Sequence, residues 1–242
     1  MMPTTRKVAI ITGASPGIGA SLVAGYRRRD WAVVASAPTV KPSQDLDLLT
    51  VAADLTKPAT AGQIVDVALE CFGRIDTLVN NVGVSIARPF TDYTAADYAT
   101  VVGASLAGFF WLTQRAIGEM AVRYGGHVVT VGATPAGAAG PGATAVLTAL
   151  ATGGLAAATR SLAIEYASRG IRVNAVSAGA IQTLPPQQVG DYGGLGSWLP
   201  PLGREGQVSD IVDGVLFLES APHITGEILR IDGGHSAEDD QA

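Results

Sequence analysis

The run Thr12-Gly13-Ala14-Ser15-Pro16-Gly17-Ile18-Gly19 places glycines at 13, 17 and 19 directly after an apolar stretch and before a helical one. Glycine is required where a chain turns sharply and where backbone amides must approach a pyrophosphate, whose charge the positive end of the following helix stabilises. The blander alternative is a glycine-rich turn that holds no ligand. Asp191 and Tyr192 bring a carboxyl and a phenol to a proline- and glycine-rich segment, 184–207, and are candidates for an acid or base. Taken singly, each reads more readily as a solvated loop residue. His127 and His235 titrate near neutrality. One begins a strand after Gly125-Gly126 and the other follows Gly233-Gly234, so surface or packing roles are expected. Cys71 is the single cysteine, and with no Cys/His cluster nearby it offers neither an internal disulfide nor a metal site.

Apolar, β-branched runs at 8–11, 31–35, 48–52, 77–79, 127–131, 171–176 and 228–231 predict seven strands. Longer stretches between them, such as 95–120 and 143–168, predict helices. That alternation implies a single doubly wound α/β domain over 1–242, its parallel sheet covered by helices on both faces. At 242 residues and 48% hydrophobic composition, the chain has enough apolar material for one large core. The segment 184–207 follows a strand and is a candidate lid, and 236–242 reads as a solvated acidic tail. The net charge is −5, and the three lysines, Lys7, Lys41 and Lys57, all fall in the first quarter, which argues against nucleic-acid binding. There is no apolar signal region after Met1 to Lys7 and no unbroken apolar run of about 18 residues, so a soluble cytoplasmic protein with no membrane partner is expected.

Five ordered motifs make the chain, from Val8 to His235, similar to the short-chain dehydrogenase/reductase family. They are the glycine run from Thr12; Asp54-Leu55-Thr56, matching an acidic dipeptide that contacts adenine; Asn80-Asn81-Val82-Gly83; Gly170-Ile171-Arg172-Val173-Asn174-Ala175-Val176; and Ile231-Asp232-Gly233-Gly234. The resemblance implies a Rossmann-like fold and a nicotinamide nucleotide held by Gly13, Ser15, Gly17, Ile18, Gly19, Asp54, Leu55, Asn80, Gly83 and Thr183. The end of the second strand, Ala35-Ser36-Ala37-Pro38, has no acid for a ribose diol and no arginine for a 2′-phosphate. Ser36 is the candidate contact to a 2′ substituent, and NADP is slightly favoured over NAD. The family also implies self-association as a homodimer or homotetramer through the helices at 95–120 and 143–168.

In the family a tyrosine protonates the carbonyl oxygen while nicotinamide delivers hydride, a lysine four residues later lowers that tyrosine's pKa and holds the ribose, a serine orients the substrate, and an asparagine supports a water. The matching positions here are Thr148, Thr152, Ala133 (with Thr134 beside it) and Ser105. No lysine occurs after Lys57, so no change of register restores a Tyr-x-x-x-Lys pair. Thr148 and Thr152 are one helical turn apart, and their hydroxyls are expected to face the same way. Threonine is a far weaker acid than an activated tyrosine, and losing a positioned general acid costs about 10²–10⁴-fold in rate. The lost lysine also removes a ribose contact, so reduced nucleotide affinity is expected.

Three readings follow. The first is a non-standard small-molecule enzyme of specialised metabolism on this scaffold, performing cyclisation, isomerisation, dehydration or an atypical reduction, with Asp191, Tyr192, Thr148 and Thr152 as its candidate residues. The second is an NADP(H)-dependent oxidoreductase with weak, water-assisted hydride transfer. The third is a non-catalytic partner subunit.

Overall fold

Burial on both faces of the sheet explains the apolar runs. A computed structural model describes residues 4–81, 83–133, 145–183 and 200–239. In chain order the strands are β1 (Val8–Thr12), β2 (Ala32–Ala37), β3 (Leu48–Ala52), β4 (Thr77–Asn80), β5 (Gly126–Ala133), β6 (Ile171–Ala178), the short β7 (Ile181–Gln182) and β8 (Gly206–Gln207), and β9 (Ile228–Ile231). Seven of them form one parallel sheet in the order β3-β2-β1-β4-β5-β6-β9, and β7 pairs with β8 separately. In β1, Val8 and Ile10 enter one core cluster while Ala9 and Ile11 enter another. Both faces of the strand are therefore covered, which is why the sequence shows unbroken apolar residues in place of an alternating pattern.

The first cluster packs under α2 (Pro58–Phe72), α4 (Gly108–Val122) and α5 (Val146–Tyr166), and the second under α1 (Ile18–Arg27) and α6 (Val208–Ser220). From β1 the chain winds outward to β2 and β3, then crosses back to β4 on the other side. This reversal opens a crevice beyond the C-terminal ends of β1 and β4, the usual place for a ligand in such sheets.

The helix expected over 95–120 has three parts. It starts as α3 (Ala95–Val101) on a reciprocal cap, Asp97 N donating to Thr94 Oγ1 at 3.1 Å and Thr94 N to Asp97 Oδ2 at 2.9 Å. A π-helical segment (Val102–Ala107) follows, and then α4. The small residues at both ends of that segment set its depth: a Cβ at Gly103 would stand 3.2 Å from Thr56, and one at Gly108 3.1 Å from Leu55. The extra residue of a π turn shifts the side chains that follow it, and Ser105 is buried within it.

Two further points differ from the sequence-based expectations. The first residues of the expected tail are tied down, because Asp232 accepts from Gly234 N and Ser236 N and a short α7 (His235–Asp239) begins there. The helical stretches Ala95–Val122 and Val146–Arg169 are long and apolar enough, by length and composition, to cross a membrane, a property that the absence of an unbroken apolar run does not reveal. Each lays one side on the sheet and leaves apolar side chains such as Phe110, Leu150 and Ile164 exposed.

The N-terminal edge of the sheet is held by buried charge. Glu219, at the end of α6, accepts from Tyr26 Oη at 3.0 Å and Thr77 Oγ1 at 2.9 Å and contacts His127 Nδ1 at 3.1 Å. His127 Nε2 faces Asn174 Nδ2 at 3.0 Å and an Arg172 guanidinium nitrogen at 3.3 Å. Asn174 Oδ1 accepts from Glu227 N, which turns its amide nitrogen toward the imidazole. With donors on that side, His127 is fixed as the neutral tautomer with its proton on Nδ1, directed at Glu219. The packing role expected for His127 is thus what the structure shows.

Burial lowers the His127 pKa and outweighs the attraction of Glu219. Burial alone would raise Glu219, but its hydrogen bonds, that from His127 foremost, bring it below the ordinary carboxyl value. Protons therefore bind the unfolded chain before the folded one. Stability is full above the ordinary histidine pKa of 6.5 and declines as pH falls below it, with Glu219 adding to the loss below 4.5. A series of thermal melts is expected to show Tm dropping from pH 7 to pH 5, roughly the lower flank of histidine titration. Glu219→Ala should cost about 3–5 kcal/mol in denaturant unfolding, because it strands buried donors. A flat Tm across that range contradicts this account.

Candidate active site

The crevice is built around one clamp. Thr12 Oγ1, at the end of β1, accepts from Asn81 N at 3.0 Å, and Asn81 Nδ2 donates to Gly13 O at 3.1 Å. Gly13 has φ +58°, and a Cβ there would lie 1.7 Å from Asn81 O; a Cβ at Gly19 would lie 1.8 Å from Gly13 O. Gly17 (φ +109°) faces Thr183, its notional Cβ 3.9 Å from the threonine Cβ, so the cleft narrows between them. The first turn of α1 has no side-chain cap and no acidic residue, which leaves the positive helix end available to an anion. Gly13, Ser15, Gly17, Ile18 and Gly19 thus form one cradle. A backbone this close-packed, with no Cβ tolerated at two of its glycines, fits a dinucleotide pyrophosphate.

Other expected contacts are placed differently. Asn80 points away from the crevice, donating to Thr113 Oγ1 of α4 at 3.0 Å, while Asn81 lines the crevice instead. Asp54 is exposed and accepts from both Thr56 N and Thr56 Oγ1, which hold its carboxyl below the usual range. Leu55 packs beneath Gly108. Ser36 is fully buried, and its Oγ has no hydrogen-bond partner among the described residues. Side chains alternate along β2, so Ala35 opens onto the cavity at this end of the crevice and Ser36 faces the other side. That cavity, about 680 Å³, is lined by Ser15, Thr39, Lys41 and Ser43 among others.

At the far end of the cradle lies a second cavity of about 280 Å³. Ser105, Ala133, Thr148 and Thr152 all border it, together with Gly83, Thr183 and the apolar Val84, Val131, Ala151 and Leu155. Thr148 Oγ1 lies 3.1 Å from Ser85 Oγ, a pairing across two elements that the sequence did not suggest. The two threonine hydroxyls do not face the same way. Thr152 Oγ1 donates back to Thr148 O at 3.0 Å, and its methyl carbon would sit 3.9 Å from a Cβ at Gly132. In a helix interior the backbone carbonyl four residues earlier is the nearest acceptor, and it takes the hydroxyl. Among the described lining residues there is no tyrosine, lysine, histidine or carboxylate. Asp191 and Tyr192, like Thr134 and most of 184–207, lie outside the described residues.

Residues 13–236 match the family model described as Enoyl-(Acyl carrier protein) reductase. The chain belongs to the short-chain dehydrogenase/reductase family. Among curated relatives it is 35% identical to "Granaticin polyketide synthase putative ketoacyl reductase 2" of Streptomyces violaceoruber, over 94% of this chain and 95% of that one. It is 32% identical to the 3-oxoacyl-(acyl-carrier-protein) reductase FabG of Escherichia coli (strain K12), over 94% and 96%. Among solved structures, a 3-ketoacyl-(acyl-carrier-protein) reductase from Brucella melitensis complexed with NADH superposes with a TM-score of 0.83 at 28% identity, covering 95% of this chain and 98% of that one. ElxO with NADP bound gives a TM-score of 0.87 at 25% identity, over 96% and 100%. This short-chain dehydrogenase/reductase therefore has the family's seven-stranded parallel sheet and crevice, with a small cavity of hydroxyl and aliphatic groups at the far end of the cradle.

The clamp sets a test. Gly13→Ala adds a methyl group where Asn81 O already stands, so β1 and β4 must part at their ends. Unfolding experiments should show a loss of about 1–3 kcal/mol, the range for forced overpacking. Unchanged stability would mean that the close approach at Gly13 is not a constraint.

Proposed function

We propose that this chain is a nicotinamide-nucleotide-dependent oxidoreductase that reduces the carbonyl of a small or acyl-type substrate, with Thr148 as the hydrogen-bond donor at the carbonyl oxygen. The observation that carries the reading is the Ser85–Thr148 hydroxyl pair at the end of the glycine cradle, in a cavity whose inner wall is largely aliphatic and whose other polar side chains are Asn81, Ser105, Thr152 and Thr183. The ketoacyl reductases among its relatives and the nucleotides in its structural neighbours support the same reading.

A bound reduced nicotinamide supplies hydride for the carbonyl carbon. The chain's own residues handle the oxygen. Thr148 donates a hydrogen bond to it, and as negative charge builds there the proton passes from Thr148 to the oxygen. Ser85 returns a proton to Thr148 and is itself replenished from water. Val131, Ala151 and Leu155 form a buried apolar inner wall, while Val84 and Ser85 stand exposed at the mouth, where water has access. An unactivated hydroxyl is a weak acid, so turnover about 10²–10⁴-fold below that of a tyrosine-equipped site is expected.

Following NADPH oxidation against ketones and 3-ketoacyl thioesters tests the proposal. Thr148→Val should lower kcat by about tenfold or more, Ser85→Ala by less, and the double variant little further, since the two hydroxyls act as a unit. Thr148→Tyr with Thr152→Lys should raise the rate. A chain that binds nucleotide but reduces nothing in the panel contradicts the proposal.

A second reading, a non-redox cyclisation, isomerisation or dehydration in which proximity does most of the work, is favoured by the described lining having no acid or base. It gains if a substrate is converted with no change in nucleotide absorbance. For either reading we propose a cytoplasmic homodimer or homotetramer, joined through the exposed apolar faces around Tyr98, Phe110, Leu150 and Ile164.

A further inference from the structure

We infer that the reaction-end cavity has a side pocket behind α5 in which Thr130 hydrogen-bonds a short hydroxyl-bearing branch beside the substrate's carbonyl; this rests on the oxidoreductase reading above. The side pocket, about 50 Å³, lies between α5 and the strands β5, β6 and β9. Gly132, Ala133, Thr152 and Leu155 border both cavities, while Thr130, Ala156, Ser177 and Ile228 border only the side pocket. A single water needs about 10–15 Å³ of such space, so the pocket has room for a group of a few heavy atoms.

Thr130 supplies the chemistry. It sits within β5 between β4 and β6, is 4% exposed, and its Oγ1 has no hydrogen-bond partner among the described residues. Other buried threonine hydroxyls are spent: Thr77 donates to Glu219, Thr113 accepts from Asn80, and Thr159 donates to Leu155 O at 2.8 Å. Thr159 can do so because a helix presents a carbonyl four residues earlier. A central strand commits its carbonyls to the neighbouring strands and offers none to its own side chains. A buried hydroxyl left unmatched is costly and rare, and the side pocket that Thr130 borders is where a partner fits.

Gly132 makes the opening. It follows Thr130 by two residues, so both stand on the face of β5 toward α5. A Cβ at Gly132 would touch Thr152 Cγ2 at 3.9 Å, and glycine leaves that methyl-sized gap between strand and helix open. The Thr152 hydroxyl does not enter it, being drawn back to Thr148 O. Two residues of strand advance about 7 Å, of which a hydrogen bond takes about 3 Å; about 4 Å remains for a branch of two or three heavy atoms. No charged residue is among the described residues that border the pocket. An ammonium or carboxylate group would be buried there without a counter-charge, so the branch that fits is neutral and ends in a hydroxyl.

Three ketones alike except for the group beside the carbonyl, which is hydrogen, ethyl or hydroxymethyl, test the assignment in the full chain. Each is measured twice: by NADPH oxidation for kcat/KM, and by NMR titration with the oxidised nucleotide present, where no reduction occurs. Hydroxymethyl should exceed ethyl about tenfold in both, the size of a hydrogen bond made to an otherwise unmatched buried group. Thr130→Val keeps the shape of the side chain and should bring that ratio to about one or below, while Thr130→Ser should keep it. Ala156→Leu, which fills the pocket from α5, should lower both branched ketones about tenfold relative to the unbranched one. A ratio near unity in the unaltered chain, or one that survives Thr130→Val, overturns the side pocket, and reduction of the unbranched ketone then leaves the oxidoreductase reading standing. Should the valine variant not fold, the Ala156→Leu comparison decides, an unchanged value overturning the pocket. A Thr130-dependent ratio in binding with no ketone reduced upholds the pocket and overturns that reading. Neither a binding preference nor reduction overturns both.

Discussion

A methyl group at Gly13 would come within 1.7 Å of the Asn81 carbonyl, and the geometry of the whole crevice follows from that contact. It brings the ends of β1 and β4 together at the point where the chain reverses its direction of winding. Thr12 and Asn81 then cross-link the two loops, and the approach leaves room for a backbone-lined cradle at the head of α1. Ser15 lines the cavity at one end of the cradle and Thr183 the cavity at the other. A ligand that spans them must pass over glycine, where the main chain alone makes contact.

Much of the frame is written in residue types. The runs at 48–52 and 228–231 are strands at those same limits, and the other five strands differ only at their ends. Continuous apolar residues reveal burial on both faces, and the glycine run reveals the cradle. The side-chain directions within the crevice are less legible. Asn80 and Asn81 are adjacent and of one type, yet one is spent on Thr113 and the other on Gly13, because successive residues leaving a strand point to opposite sides. Ser36 is lost to the core for the same reason.

The reaction end shows a second kind of limit. Ser85 and Thr148 are 63 residues apart, so their pairing depends on the packing of α5 over the loop after β4 and leaves no local pattern. Thr152 has the right spacing to join them, but its hydroxyl satisfies the helix backbone. The π-helical turn that carries Ser105 has no compositional mark beyond its small residues. Spacing along a helix shows which residues share a side; the choice of hydrogen-bond partner is made by neighbours from other elements.

The buried cluster around His127 and Glu219 occupies the opposite edge of the sheet from the crevice, with the length of the parallel strands between them. All its ionisable members enter from strand beginnings or helix ends that no ligand in the crevice reaches. The pH response of this cluster and the wall of the reaction-end cavity, which among the described residues holds no carboxylate or histidine, therefore rest on different residues. Selection, or a protein engineer, can move one without disturbing the other: the same chain could be adapted to a more acidic compartment by exchanges at the lower edge while its pocket chemistry stays as it is.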